Sequence, residues 1–305
     1  MGHISLLSHK RNFLLYCKYS FCDSFGLIQV KEVEMLTKWN TQAAQIIDGI
    51  ETDMFPKVLS NALSNIVEFD FTVIFGYMGN ARPLALYDDF PPDRKRMHVD
   101  EYQDGPYLLD PFFLAASGKV DAGVWRLSEI APDRFYQGEY FRNYYAQTGL
   151  AEEVGLLVDV HASLTIVVSL MRKTRKFSKA EMKTLNSIWP VIDAACRRHW
   201  RDEATDVPTV ENSIERAFRI IGEGVLTPRE REVVELTLRG HSADALGKLL
   251  GISSGTVRIH RKNIYAKLRI SSQGELFSAF ISAIAETPQV AAVSRAHMST
   301  SKNTV

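Results

Sequence analysis

The chain is poor in several features that would place it at once. It has three cysteines, Cys17, Cys22 and Cys196, in 305 residues. Three thiols cannot build a disulfide framework and read as reduced cysteines. No Cys or His pair is placed to complete a zinc site with Cys17 and Cys22. No apolar run reaches the ~18 residues of a membrane span. The stretch FLLYCKYSF after Lys10 and Arg11 has the outline of a signal peptide, but Lys18 interrupts it and no small-residue cleavage site follows. A cytoplasmic protein with no membrane partner is the expectation. GxxxxGK(S/T), HExxH and CxxC are also absent. With no nucleophile, metal or phosphate motif, neither an enzyme nor a cofactor is expected. Net charge is missing too, with 36 Lys and Arg against 36 Asp and Glu.

What is present is an ordinary globular composition, 46% hydrophobic and 24% charged. The length suits two domains. The neutral total hides a split. From Thr227 to Ala285 nine Lys and Arg face five Asp and Glu, a net of +4, so the remainder carries −4. Such asymmetry points to a nucleic-acid-binding piece.

Residues 1–34 lack clear periodicity and read as a poorly defined extension. From Met35 to about Glu68 the pattern is helical. Asp70–Met78 (DFTVIFGYM) reads as a strand, with ARPLALYDDF as its hairpin partner. Residues 102–145 read as loops and short helices and hold 11 aromatics in 44 residues. EEVGLLVDV and SLTIVVSLMR form two strands around His161 and Ala162, and Ser178 opens a helix to about Arg201. This order predicts an α+β domain over 35–203, an antiparallel sheet flanked by helices, similar to GAF, PAS or autoinducer domains. Residues 204–225 read as a linker with a short helix around Ile214, Ala217, Phe218 and Ile221. The tail 288–305 is small and polar and is expected to be disordered.

The segment Leu226–Leu268 carries the strongest signal. Thr227-Pro228-Arg229-Glu230 is a capping box with proline at the first helical position. Gly240 supplies a left-handed stop. Ser242 caps a second helix closed by Gly251, and Ser253 caps a third that extends to about Leu268. Two helices joined by a tight turn make a helix-turn-helix. In the third, Val257, Ile264 and Leu268 give a buried stripe, and Arg258, Arg261 and Lys262 are expected to fall away from it beside His260 and Asn263. A basic, capped helix in that position suits the major groove of double-stranded DNA.

LTPRERE, G-x-S, IS-x-x-TV-R-x-H and N-I-x-x-KL together resemble the LuxR-type, or GerE-like, DNA-binding domain of bacterial regulators. The resemblance implies an all-α four-helix domain over 226–287, with Ser271–Ala285 as the fourth helix and a dimerisation element. It implies base contacts from Arg258, Ile259 and Lys262, with Thr256, His260 and Lys267 as phosphate contacts; Arg261 joins them on the same helix. Three positions depart from the family pattern. Asp244 stands where a phosphate contact is usual, Gly247 weakens its helix, and Gln273 stands where Arg is common.

The first domain lacks the parallel pattern of a receiver. Tyr107–Pro111 and Trp125 look similar to part of the autoinducer-binding pattern Trp-x-x-x-Tyr followed by Asp-Pro, but Met97 and His98 occupy the zone of the tryptophan. Tyr107, Phe112, Trp125, Tyr140, Tyr144 and Tyr145 are pocket candidates, with Asp110 as polar anchor. Two bland readings stand beside these: aromatics that simply pack a core, and Asp110 as the N-cap before Pro111. His98, His161 and His199 read as surface or hydrogen-bonded residues, and Arg172–Lys176 (RKTRK) as a solvated turn. The functional expectation is a homodimeric transcription regulator with a small-molecule effector and a contact to RNA polymerase. The alternative is a constitutive regulator whose first domain serves dimerisation or protein contact only.

Overall fold

A computed structural model describes residues 33–79, 81–118, 120–203 and 221–285. Most of the N-terminal extension, most of the linker and the expected tail lie outside the described residues. By its contacts the chain divides after Glu68 into two compact units.

The first unit contains helix α1, residues 33–49, and α2, Phe55–Ile66. Phe55, Leu59, Ala62 and Leu63 of α2 recur at helical spacing and are buried. Asn65 donates to Gln42 Oε1 at 3.1 Å, which ties the two helices together.

The second unit begins with a five-stranded antiparallel sheet. Its strands are β1 (Phe71–Tyr77), β2 (Leu84–Asp88), β3 (Gly123–Arg126), β4 (Glu152–His161) and β5 (Leu164–Arg172), in the spatial order β2-β1-β5-β4-β3. The β1–β2 and β4–β5 hairpins form where the alternating patterns predict them. β3 falls inside the stretch expected to be loops and short helices; a four-residue edge strand gives too little alternation to read.

Strand alternation divides the sheet's residues between two faces. Val73, Phe75 and Tyr77 of β1 share one face with Val167, Ser169 and Met171 of β5 and with Glu153, Gly155 and Leu157 of β4. Helical segments between residues 92 and 149 cover that face, among them α3 (Pro111–Ala116) and α4 (Glu139–Asn143). Helix α5 (Lys179–His199) packs on β4 and β3, opened by the reciprocal cap of Ser178 and Glu181.

The RKTRK run is not simply solvated. Arg172 is buried, pairs with Glu181 at 2.6 Å and lies over the Phe177 ring at 3.9 Å. Its long side chain fills the joint between the end of β5 and the start of α5.

Four helices follow: α6 (Pro228–Leu238), α7 (Ala243–Leu250), α8 (Ser254–Leu268) and α9 (Gln273–Ala285). Each expected cap is made. The Thr227 and Ser253 hydroxyls accept from the Glu230 and Thr256 amides, and Ser242 Oγ accepts from Ala245. Gly240 and Gly251 turn the chain at φ of +95° and +65°. Val233, Leu246, Val257, Ile264, Leu276 and Phe280 form the bundle's core, continuous with the apolar cluster under the sheet.

One glycine under the sheet is needed for space alone. A Cβ on Gly155 would stand 2.3 Å from Phe112 Cε1, and that ring is only 1% exposed. Gly155→Ala is expected to destabilise the chain by about 1–3 kcal/mol through overpacking. Thermal melts would show it as a fall of roughly 2–4 °C per kcal/mol; an unchanged melt would mean that the Phe112 ring can move aside.

Candidate functional site

Alternation and helix turns bring fourteen residues around a partly open cavity of about 30 Å³ under the sheet, room for a water or two. β1 contributes Val73, Phe75 and Tyr77; β4 contributes Glu153; β5 contributes Ser169 and Met171. The helical cover supplies His98, Tyr102, Asp110, Tyr140, Tyr144 and Tyr145, with Thr148 and Leu150. Of the aromatic candidates, Tyr140, Tyr144 and Tyr145 face this cavity with Asp110. Tyr107, Phe112 and Trp125 do not. Tyr107 packs edge-on against Phe113 at 5.1 Å, Phe112 fills the space over Gly155, and the Trp125 indole donates to Asp121 O at 2.9 Å on the edge strand.

Asp110 answers both of its readings. Oδ1 accepts from the Phe112 amide at 3.1 Å and so caps α3, while Oδ2 accepts from the Tyr102 hydroxyl at 2.6 Å. The Tyr102 hydroxyl also meets that of Tyr77 at 2.8 Å. Across the cavity, Tyr145 donates to Glu153 Oε2 at 3.1 Å. Burial pushes Asp110 up to about 6, against the pull of these hydrogen bonds. Burial, with the neighbouring charge of Asp110, pushes Glu153 up to about 8.

Sequence reasoning missed Glu153 and His98. Glu153 is the second residue of a strand that begins with two acids and continues as a buried apolar run, and only its register shows that it faces the aromatics. His98 stands four residues before Tyr102, where the autoinducer pattern carries tryptophan. It is buried rather than at the surface, stacked on Phe90 at 4.3 Å, and its Nε2 has no hydrogen-bond partner. Burial, helped by Arg94, lowers its pKa to about 4, so the ring is neutral near pH 7. His161 is half-buried beside Ser163, and His199 packs edge-on against Trp200.

On α8 the structure sorts the expected DNA residues. Arg258, Ile259 and Lys262 are exposed, Ile259 at 61% despite being apolar. His260 and Thr256 are half-buried, and the Thr256 hydroxyl lies 2.8 Å from that of Ser253. Arg261 does not fall away from the buried stripe. Four residues after Val257 and three before Ile264, it lies on their side of the helix. It donates to Thr237 Oγ1 at 3.2 Å and His241 O at 3.1 Å. Lys267 pairs with Glu230 at 2.7 Å. Burial opposes the charge on Glu230, but the hydrogen bonds from Lys267 and Thr227 hold its carboxyl below the ordinary value.

The three departures also find physical reasons. Asp244 is exposed in the first turn of α7, where an acid complements the helix dipole. A Cβ on Gly247 would lie 2.7 Å from Ile252 O, so the tight turn requires glycine there. Gln273 Nε2 donates to Thr237 O at 3.3 Å, tying α9 to α6.

Cavity and bundle meet through one segment. The Arg134 amide donates to Gly240 O, and Asp133 Oδ1 accepts from the Ser242 amide, both at 3.0 Å. A Cβ on Gly240 would stand 3.1 Å from Phe135 Cα. Just beyond this dock lie Tyr140 and Tyr144, whose stacked rings, 5.6 Å apart, line the cavity.

Folding raises both cavity carboxyl pKa values, so the native state holds those protons more tightly than the unfolded chain. Their contribution to stability is fully present below the ordinary values and is lost as pH rises toward the native ones. For Glu153 the window runs from 4.5 to about 8. Glu153→Gln cannot titrate. Its melting temperature relative to the wild type should therefore rise steadily from about pH 5 to about pH 8. A difference that stays flat across that range would contradict a carboxyl held protonated by burial.

Residues 224–280 match the family described as bacterial regulatory proteins, luxR family. The HTH-type transcriptional regulator of the exeN 3′ region in Aeromonas salmonicida is 35% identical over 190 residues, covering 59% of this chain and 96% of that protein. The monoamine regulon transcriptional regulator of Klebsiella aerogenes is 28% identical over 178 residues, 58% of this chain and 70% of that one. Among solved structures, the LBD domain of VqsR from Pseudomonas aeruginosa aligns with a TM-score of 0.48 at 21% identity, over 54% of this chain and 98% of that one. Escherichia coli SdiA aligns with a TM-score of 0.41 at 17% identity, over 82% and 98%. No described helix is long and apolar enough to cross a membrane. The chain, a transcriptional regulator with a C-terminal helix-turn-helix, belongs to the luxR family of bacterial regulatory proteins.

Proposed function

We propose that the chain binds a two-fold DNA site as a homodimer through α8, and that a small molecule in the cavity modulates that binding. The observation that carries the DNA reading is the sorting on α8. Arg258 and Lys262 extend into solvent with Ile259 between them, while Arg261 and Lys267 hold the helix to its bundle. Long cations on a capped helix suit phosphates and the acceptor edge of guanine, and an exposed isoleucine suits a thymine methyl.

The effector reading rests on the cavity around Asp110; a constitutive regulator would have no use for the buried, unpartnered Nε2 of His98 there. The dock gives the effector a path. A ligand that displaces Tyr140 or Tyr144 moves the segment bonded to Gly240 and Ser242, and it shifts the population only by its differential affinity for the two arrangements.

Arg258→Ala should weaken operator binding by about 1–3 kcal/mol and relax base choice at one position, with an unchanged melt. Lys267→Ala should instead lower the melting temperature, because it strips the partner from a buried carboxylate. Fluorescence anisotropy on operator and mismatched duplexes, beside melts, separates the two; Arg258→Ala binding both duplexes like the wild type would remove α8 from base readout. Asp133→Ala should change the operator affinity of the ligand-free chain by about fivefold or more. Unaltered affinity would detach the dock from regulation.

A further inference from the structure

The described residues include four buried acids, Asp110, Glu152, Glu153 and Glu230. Two of them have a cation built beside them. Glu152 pairs with Arg126 at 2.5 Å and Glu230 with Lys267 at 2.7 Å. Asp110 and Glu153 have none: both face the cavity, and no Lys or Arg lines it. Hydroxyls meet only part of their capacity, since a carboxylate accepts at about four lone-pair sites. A buried charge without a counter-charge is costly, and charged groups in protein interiors are normally paired.

The rest of the lining suits a missing cation. Tyr140 and Tyr144 stand side by side as π faces, and Tyr77, Tyr102 and Tyr145 add three more aromatic walls. The unpartnered Nε2 of the buried, neutral His98 offers one further hydrogen bond. Near pH 7 Glu153 is held protonated and Asp110 carries the pocket's charge, which a neutral ligand would leave uncompensated.

We propose that the cavity is the receptor site of a small organic ammonium ion, whose N–H groups are donated to Asp110 and Glu153 with its carbon skeleton among the tyrosine rings. This deepens the effector reading above and rests on it. The space of about 30 Å³ admits little more than the ammonium head as it stands. The skeleton enters only as the Tyr140 and Tyr144 rings swing away. Those rings lie on the segment that docks against the bundle, so occupancy by a cation is linked to the arrangement of the DNA-binding helices.

Calorimetric titration of the full chain tests this with 2-phenylethylamine and propylamine against their neutral counterparts 2-phenylethanol and 1-propanol. Both amines should bind and raise the melting temperature, and the alcohols should bind at least about tenfold more weakly. Glu153→Gln, nearly isosteric but unable to give up a proton and pair with an entering ammonium, should keep its fold and lose about tenfold or more in amine affinity. The wild-type comparison stands even if that variant folds poorly. Equal binding of amines and alcohols, no binding of either amine, or undiminished amine binding by Glu153→Gln would each overturn the proposal. Operator binding is measured on the same preparations. DNA binding without any amine response sinks the ammonium site and leaves the regulator; amine binding without DNA binding does the reverse.

Discussion

Gly240 is the point on which the arrangement turns. Its φ of +95° ends α6 and sends the chain toward α7, a conformation an L side chain rarely adopts. Its carbonyl accepts from Arg134, and its bare Cα lets the Phe135 backbone approach within what would be 3.1 Å of a Cβ. One position thus serves a local and a long-range need. The helix stop that makes the helix-turn-helix is also the socket for the segment that carries the cavity's tyrosines.

The two needs have different energies. A helix stop is a property of neighbouring residues and forms with the helix. The dock adds two backbone-directed hydrogen bonds, worth about 1 kcal/mol each against water, to the apolar contact that makes the two cores one cluster. Its carboxylate, Asp133, is mostly solvated; desolvation opposes its charge slightly, and the Ser242 bonds hold its pKa down. Bonds of that size can be exchanged for others without unfolding either side, which suits an element that must take two arrangements.

How much could be read from the sequence follows the same division. The helix-turn-helix was legible because its signals are local: Thr227 with Glu230, Ser242, Ser253, Gly240 and Gly251 each act within four residues of themselves. The paired strands were legible through alternation. β3 was not, because four residues give alternation nothing to repeat. The cavity was half legible. The aromatic density of residues 102–145 pointed to the right neighbourhood, but not to which rings face inward. Tyr107 and Phe112 were no less plausible than Tyr140. Glu153 and His98 could not be found by density at all, since one enters through strand register and the other through a short helical cover. Arg261 is the reverse case: the i+4 and i−3 spacings to Val257 and Ile264 were there to be read, but its charge argued for solvent.

That misreading bears on what the basic surplus means. A net of +4 over Thr227–Ala285 suggests a surface prepared for phosphates. Four of the nine cations behind that net are nonetheless held by the bundle itself. Lys267 answers Glu230, Arg239 answers Glu235, Arg229 answers Glu232, and Arg261 is drawn inward to Thr237 and His241. On α8 itself Arg258 and Lys262 remain exposed. A face with so few committed cations gains little from counterion release per protomer. Two copies on one duplex double that gain without any new contact within a copy. The internal use of charge in the bundle is therefore itself an argument for binding as a pair, and it makes the relative placement of the two copies, which the dock can alter, the quantity most open to control.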